Sequence, residues 1–157
     1  GIEQIFIHKY SGILSAYGIA LADIVHEETM PCSLSYERKN LKQINSIIMK
    51  LSEKCDNILK QKDFNENHIR FEIFLNLRYD KTDFSLMVTT CSGNERITMC
   101  NDDNFRQKFL EQYEREFGFI IPDRQIIVDD IRIRSIGFID ETYLPGYDEP
   151  SMKNIEK

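Results

Sequence analysis

Hydrophobic residues recur along this chain at two different spacings, and each spacing predicts one kind of element. Steps of three and four residues predict a long amphipathic helix over about 39–60, with a single buried stripe. The same steps predict a second helix that ends at Phe117 and is closed by Gly118. The stripe residues are Leu41, Ile44, Ile48, Leu51, Cys55, Ile58 and Leu59 in the first helix, and Phe105, Phe109, Leu110, Tyr113 and Phe117 in the second.

Alternation of apolar and polar residues predicts the strands. We expect a long half-buried strand over 69–79, a turn over 80–83 and a hairpin partner over 84–88. A last strand is expected over 124–134, and its alternation changes parity across Asp129–Asp130. Because an extra residue in one strand shifts the alternation, this change indicates a β-bulge.

The segments between these elements carry signals for edges, breaks and caps. Residues 25–34 are expected to be extended, and Pro31 restricts a strand there to an edge or an end of the sheet. The triplet 92–94 is expected to break the hairpin, and Asp102 or Asp103 to cap the second helix.

The order of these elements predicts the class of fold. From 25 to 134 the order is strand, helix, strand, strand, helix, strand. This order predicts an α+β fold with a split βαβ (ferredoxin-like) antiparallel sheet and two covering helices. We expect that domain to occupy 25–137, and the polar, turn-rich residues 138–157 to form a linker or tail.

The N-terminal residues have a different composition. A short apolar strand is expected over Ile2–Ile7, followed by a helix over about 12–24 that is rich in small residues. Gly18 inside a helix costs roughly 1 kcal/mol relative to Ala, and the usual compensation is close approach by another backbone. No sheet that could receive this helix precedes it, since the chain opens at Gly1. We therefore expect the chain to be a piece of a longer protein.

Composition and charge exclude some classes of partner. A chain of 157 residues, 41% hydrophobic and 29% charged, is typical of one globular domain, or of one domain with part of another. Its net charge of −6 argues against a nucleic-acid or membrane-surface partner, because phosphate groups select basic faces. No apolar run approaches the length needed to span a membrane.

Histidines and cysteines are the commonest carriers of metal and nucleophile chemistry, and their spacing here favours neither. No CxxC pair occurs, which favours reduced thiols in a cytosolic protein. The histidines lack the spacing of metal ligands and are expected on the surface or at strand ends. These residues are His8, His26 and His68, and Cys32, Cys55, Cys91 and Cys100.

Two charged pairs are the remaining candidates. Asp129 and Asp130 are adjacent carboxylates of the kind that hold a divalent cation, but successive strand residues point to opposite faces unless a bulge intervenes. A bulge with solvated carboxylates is the favoured interpretation. Arg78 and Asp83 flank the hairpin turn, where they are expected to form an exposed ion pair of structural importance only.

Sequence motifs that would define an active site are missing. The sequence contains no GxGxxG or GxxxxGK[ST] phosphate-binding loop and no GxSxG nucleophile elbow. No catalytic, cofactor-binding or metal-binding residue is therefore assigned, and the chain alone is expected to be inactive and to bind no cofactor.

Three blocks of sequence together resemble the 5-oxoprolinase branch of the hydantoinase-A family of ATP-dependent amidohydrolases. The first is 7–27, which begins Ile-His-Lys-Tyr-Ser-Gly, and the second is 74–88, which contains Arg78-Tyr79-Asp80-Lys81-Thr82-Asp83. The third joins 113–119 to 128–134. The order and spacing of these blocks over about 1–137 make the resemblance specific.

The resemblance implies a parent enzyme much longer than this chain. Such a parent uses ATP and Mg²⁺ to open the lactam of 5-oxo-L-proline, giving L-glutamate, and phosphorylation of the lactam oxygen makes the hydrolysis favourable. Residues 1–24 would be the C-terminal end of an actin/hexokinase-like ATPase domain. Gly18 would let its helix pack against that domain. The parent is expected to be a cytoplasmic homodimer of glutathione metabolism, and its remaining domains to be this chain's partners.

The sequence departs from the family pattern at two places. Relatives usually have Gly where this chain has Lys81, and Arg134-Ser135-Ile136-Gly137 stands where they have Arg-Gly-Thr-Gly. Without Gly at 81, the turn has no need for a positive φ, or it is strained. Two alternatives stay open: an ATP-dependent hydantoinase acting on another cyclic amide, and a non-catalytic binding or regulatory fragment.

Overall fold

A computed structural model describes residues 2, 4–8, 10–89 and 104–138. The N-terminal part holds a 3₁₀ turn at Ser11–Ile13, followed by a short helix, α1. The elements are α1 (Leu14–Ala20), β1 (Ile24–Ser35), α2 (Leu41–Lys60), β2 (Ile69–Tyr79), β3 (Leu86–Thr89), α3 (Asn104–Phe117) and β4 (Ile126–Gly137), with a further 3₁₀ turn at Glu66–His68. The predicted order of elements from 25 onward is confirmed.

The four strands form one antiparallel sheet in the order β1-β4-β2-β3. Since β4 pairs antiparallel with both β1 and β2, those two strands run in the same direction with β4 between them. This is the predicted split βαβ arrangement. The prediction of a ferredoxin-like strand order is wrong. The ferredoxin-like fold has its first and third strands at the centre, whereas β4 and β2 are central here.

Side-chain polarity explains why β1 lies at the edge and β4 at the centre. The core side of β1 carries His26 and Glu28, which are only half-buried, and Pro31 lacks the N–H that a central strand needs. The core side of β4 is fully buried, with Ile131 and Ile133 at its middle. A central strand is enclosed by neighbours on both sides, which favours the more apolar of the two. The predicted edge position of Pro31 is confirmed.

Both long helices pack against the same face of the sheet. Ile44, Ile48 and Leu59 of α2 are fully buried, as are Phe105 and Phe109 of α3. The ring of Tyr79 on β2 joins α3 through edge-on contacts with Phe109 and Tyr113, at centroid distances of 5.1 and 4.8 Å. Most residues of the predicted stripes therefore lie in the core, but Leu41, Ile58 and Leu110 are only half-buried and Phe117 is exposed.

The predicted bulge lies at Asp129. Asn76 of β2 pairs with Asp130, but the next residue, Leu77, pairs with Val128, so Asp129 has no partner of its own on β2. On the other side of β4, the pairing with β1 also shifts, between Pro31 and Leu34. The extra residue keeps Val128 and Ile131 on the core side despite the change of parity.

The N-terminal predictions hold only in part. The expected strand over Ile2–Ile7 is wrong, since its described residues have no regular structure. A single strand needs a neighbour for its backbone hydrogen bonds, and the described part of the chain provides none. The helix is shorter than the predicted 12–24, running from Leu14 to Ala20. The predictions for 92–94, Asp102, Asp103 and the tail from 139 onward lie outside the described residues.

Candidate functional site

Large apolar side chains cover the surface of the N-terminal segment, residues 2–23. Ile2 is 85% exposed, Phe6 84% and Ile19 77%. The others that are exposed are Ile5, Ile7, Ile13 and Leu14. A concentration of exposed large apolar side chains in one short segment is typical of a surface that contacts other protein. The segment is therefore the clearest candidate for a contact with other protein.

Aromatic rings give the N-terminal segment its local structure. The ring of Tyr17 lies 5.0 Å from that of Tyr10 and 5.6 Å from that of His8, centroid to centroid. The backbone N–H of Tyr10 also donates a hydrogen bond to His8 Nδ1, at 3.1 Å. These contacts all join residues of the segment to one another, so its apolar side chains remain on the outside.

Open space surrounds Gly18 on α1. A Cβ atom added to Gly18 would meet nothing within 4 Å among the described residues. The later strands of the chain therefore leave this helix uncovered. Gly18 has no packing reason within the described part of the chain, and the predicted contact with another backbone stays a prediction.

Arg78 links β2, the bulge and the hairpin turn. Its Nε lies 2.8 and 3.0 Å from the two carboxylate oxygens of Asp129. One Nη donates to the carbonyl oxygens of Tyr79 and Thr82, at 3.4 and 3.2 Å. The predicted ion pair with Asp83 is replaced by this one, because the bulge brings Asp129 of the neighbouring strand within reach of Arg78 while Asp83 is exposed.

The bulge places both adjacent carboxylates on the same side of the sheet. Asp130 Oδ2 accepts a hydrogen bond from Asn76 Nδ2 at 3.1 Å, and Asp129 is held by Arg78. A carboxylate already engaged by an amide or a guanidinium is a poor cation ligand. This geometry agrees with the bulge interpretation of the pair and not with a metal site.

Lys81 has a left-handed backbone conformation, with φ at +62°. The turn thus keeps the conformation that favours glycine, although this chain has lysine there. We expect Lys81→Gly to raise the free energy of unfolding by about 1 kcal/mol, because a left-handed L-residue costs roughly 1–2 kcal/mol and glycine's greater freedom in the unfolded chain offsets part of the gain. Urea denaturation measures the change.

The matched control for this change is Lys62→Gly. Lys62 is also an exposed lysine in a turn, but it is not among the residues with positive φ. Glycine there is expected to lower stability through unfolded-state entropy alone. Equal effects at the two positions would contradict the strain at Lys81.

A charged cluster joins the edge strand β1 to α2. Glu28 accepts a hydrogen bond from Lys54 Nζ at 2.7 Å, and His26 Nε2 lies 3.1 Å from its other carboxylate oxygen. The hydrogen bond from Lys54, followed by that from His26, lowers the pKa of Glu28 below its ordinary value of 4.5. Sequence analysis missed this cluster because its members lie on different elements.

The lowered pKa of Glu28 predicts a dependence of stability on pH. Below pH 4.5 the unfolded chain binds more protons at this group than the folded chain, so the contribution of Glu28 is present above that pH and is lost as pH falls through the folded pKa. We expect Glu28→Gln to flatten the loss of stability between about pH 5 and pH 3, measured by urea denaturation. The exposed Glu53→Gln is the control, and an equal flattening there would contradict the assignment.

The remaining candidate residues are scattered. No three His, Cys, Asp or Glu side chains among the described residues come together as a metal site. Burial raises the pKa of the Cys32 and Cys55 thiols, which disfavours the reactive thiolate. Cys91 and Cys100 lie outside the described residues. No helix in the described part of the chain is long and apolar enough to cross a membrane.

Comparison with solved structures shows where a similar fold occurs. No family model matches the chain. Its fold is similar to part of the ATP-dependent caprolactamase from Pseudomonas jessenii, with a TM-score of 0.68 and 20% identity over 87% of this chain and 20% of that one. The fold is thus one that occurs within an ATP-dependent lactam-hydrolysing enzyme.

Sequence comparison identifies the branch. The chain is 41% identical over 138 residues to the 5-oxoprolinase of Saccharomyces cerevisiae, and 40% identical over 134 residues to that of Dictyostelium discoideum. These matches cover 87% and 85% of this chain but 10% of each relative. The chain is related to the 5-oxoprolinases, which confirms the resemblance, and it corresponds to one segment of about a tenth of their length.

Proposed function

We propose that this chain is a segment of an ATP-dependent 5-oxoprolinase, whose complete form hydrolyses 5-oxo-L-proline to L-glutamate. The identity of about 40% to proteins named 5-oxoprolinase, along most of this chain, is the observation that carries the proposal. The fold shared with an ATP-dependent caprolactamase supports the same class of reaction. The exposed N-terminal segment supports a place inside a larger protein.

The described residues fit a structural part in that enzyme. They form no phosphate-binding loop, and Asp129 and Asp130 are held by Arg78 and Asn76, so they do not fit ATP or Mg²⁺. We infer that ATP, Mg²⁺ and the lactam bind to other parts of the parent, and that the catalytic residues lie there. In this chain alone we expect no turnover of ATP.

The division into domains follows from the N-terminal segment. We propose that residues 1–24 close an ATPase domain, that 25–137 are a separate split βαβ domain, and that 138–157 are a linker or tail. The apolar exposure of the N-terminal segment, beside a well-packed sheet and helices, supports the first boundary. From the resemblance, the parent is proposed to be a cytoplasmic homodimer.

The test is a substrate panel on the full-length parent. We expect release of glutamate from 5-oxo-L-proline, with ADP formed in step and no product when ATP is left out. The likeness to a caprolactamase favours one alternative, a hydrolase for another cyclic amide, so caprolactam and hydantoin belong in the panel. Preference for either would favour that alternative, and a parent inactive on all of them would favour a binding or regulatory protein.

A further inference from the structure

Helices cover only one side of the sheet, and the other side, called here the open face, is uncovered among the described residues. Its side chains come from alternate positions on the strands and form rows across β1, β4 and β2. The rows are Val25, Ile136 and Arg70; Glu27, Arg134 and Glu72; Thr29, Arg132 and Phe74; and Pro31, Asp130 and Asn76. The open face is thus a charged surface with apolar side chains between the charges.

Most charges of the open face have partners within it. Arg134 Nε lies 2.5 Å from Glu27, its Nη1 lies 3.4 Å from Glu72, and its guanidinium stacks over the ring of Phe74 at 5.3 Å. Asp129 and Asp130 are held as described above. The carboxylates of this surface are therefore already engaged.

Among the described residues, two arginines of the open face lack a close carboxylate: Arg70, which stacks over the ring of Phe138 at 5.3 Å, and Arg132, which lies in the central strand β4. The Nη1 of Arg132 is 4.0 Å from Glu27, a carboxylate that Arg134 holds much more closely. The Nε of Arg132 is shielded from solvent and has no hydrogen-bond partner among the described residues. A donor that has lost water without gaining a partner destabilises the fold, and the penalty is larger for a charged group. In the described part of the chain, the guanidinium of Arg132 therefore has fewer hydrogen-bond partners than donors.

We propose that the open face binds another part of the parent polypeptide, which presents a carboxylate to Arg132. The proposal rests on the proposed function, since that function supplies a parent with further domains. A carboxylate matches the fork of Nε and Nη donors, and the Arg132 side chain is 33% exposed on this face.

Charge and chain length favour this occupant over others. Glu27, Glu72 and Asp130 lie in the two rows next to that of Arg132, so a polyanion such as nucleic acid would be repelled by more charges than a single carboxylate. A second copy of the open face is a poor partner for Arg132, because the carboxylates of that face already have partners within it. About nine-tenths of the relatives' length lies outside the matched segment, so the parent has ample chain to supply the acidic side chain.

Zero-length crosslinking tests the partner of Arg132 in the full-length parent. A carbodiimide joins an amine to a carboxylate in contact, so the variant used is Arg132→Lys, with the exposed Arg106→Lys on α3 as control. We expect residue 132 to be joined to an Asp or Glu outside 1–157, within one molecule, and residue 106 not to be. Mixing ¹⁴N- and ¹⁵N-labelled parent distinguishes contacts within one molecule from those between copies.

Cysteine labelling of the same parent tests whether the open face is covered. Thr29 lies in the same row as Arg132 and is exposed in this chain, and Glu53 is an exposed residue of α2. We expect a Thr29→Cys variant to react with a maleimide at least about ten-fold more slowly than Glu53→Cys, because an interface worth 1.4 kcal/mol is open a tenth of the time. Mass spectrometry reads the modification at each position.

The outcomes separate this proposal from the proposed function. Equal labelling at positions 29 and 53, a crosslink from 132 only to Glu27, or a crosslink between two copies would each overturn the proposal. Hydrolysis of 5-oxo-L-proline by the unmodified parent is measured separately. A protected open face in a parent that lacks this activity would overturn the function and leave the interface standing.

Discussion

Replacing Gly18 by Leu in the full-length parent is expected to lower kcat/KM for 5-oxo-L-proline by about one to two powers of ten. The physical reason is that a Leu side chain forced against a neighbouring backbone costs about 1–3 kcal/mol, and each 1.4 kcal/mol is a factor of ten. In the 157-residue chain alone, the same change meets open space. There it is expected to favour α1 slightly, since Gly in a helix costs about 1 kcal/mol relative to Ala.

Two further variants are the controls for Gly18→Leu: one places a smaller side chain at position 18, and the other places Leu at a different position. Gly18→Ala adds one carbon and is expected to have a smaller effect in the parent, and Glu53→Leu adds the same Leu to the exposed surface of α2. Steady-state kinetics and the thermal midpoint of the parent give two independent readouts. Full activity and an unchanged midpoint for Gly18→Leu would show that nothing packs against this side of the helix.

Arg78→Met is expected to lower the free energy of unfolding of the chain by about 2–3 kcal/mol. The change removes the charge-assisted hydrogen bonds to Asp129, typically worth about 1.5–3 kcal/mol, and leaves a half-buried carboxylate unpaired. It also frees the carbonyl oxygens of Tyr79 and Thr82, which Arg78 holds in the turn. Urea denaturation measures the loss.

Two further variants show whether geometry or charge is responsible at Arg78. Arg78→Lys keeps the charge without the planar fork, so it is expected to recover only part of the stability. Arg106→Met removes an exposed arginine from α3 and is expected to change stability by less than about 0.5 kcal/mol. If Arg78→Met changed the free energy of unfolding as little as Arg106→Met, the contacts of Arg78 with the turn and the bulge would contribute nothing measurable to stability.

Local patterns predicted the elements of the domain closely. The strand expected over 69–79 is β2 with those bounds, and α2 begins and ends within two residues of its expected range. The bulge at Asp129 followed from the change of parity, because alternation along one strand is a property of neighbouring residues. The N-terminal strand failed for the opposite reason: its apolar residues have no neighbouring strand among the described residues.

The candidate site was less accessible to sequence reasoning. Arg78 was paired with Asp83, a near neighbour in sequence, whereas its partner Asp129 lies 51 residues away. The cluster of Glu28, Lys54 and His26 also joins separate elements. The ion pair between Arg78 and Asp129 could have been predicted from the sequence. A bulge opposite the end of β2 places Asp129 on the same side of the sheet as Arg78.

From residue 25 onward, the sequence by itself determined the order of helices and strands and which side of each is apolar, and it also indicated the similarity to the 5-oxoprolinases. These follow from spacing and identity, which are read along one chain. Pro31 already restricted β1 to an edge or an end, but only the tertiary structure decided that β4 and β2 are the central strands and that Arg78 holds Asp129. It also decided that, among the described residues, Arg132 and the N-terminal segment are left uncovered. Strand order and ion pairs depend on contacts between residues that are distant in sequence. The local pattern permits several strand orders equally, and the polarity of each complete strand face decides which of them forms.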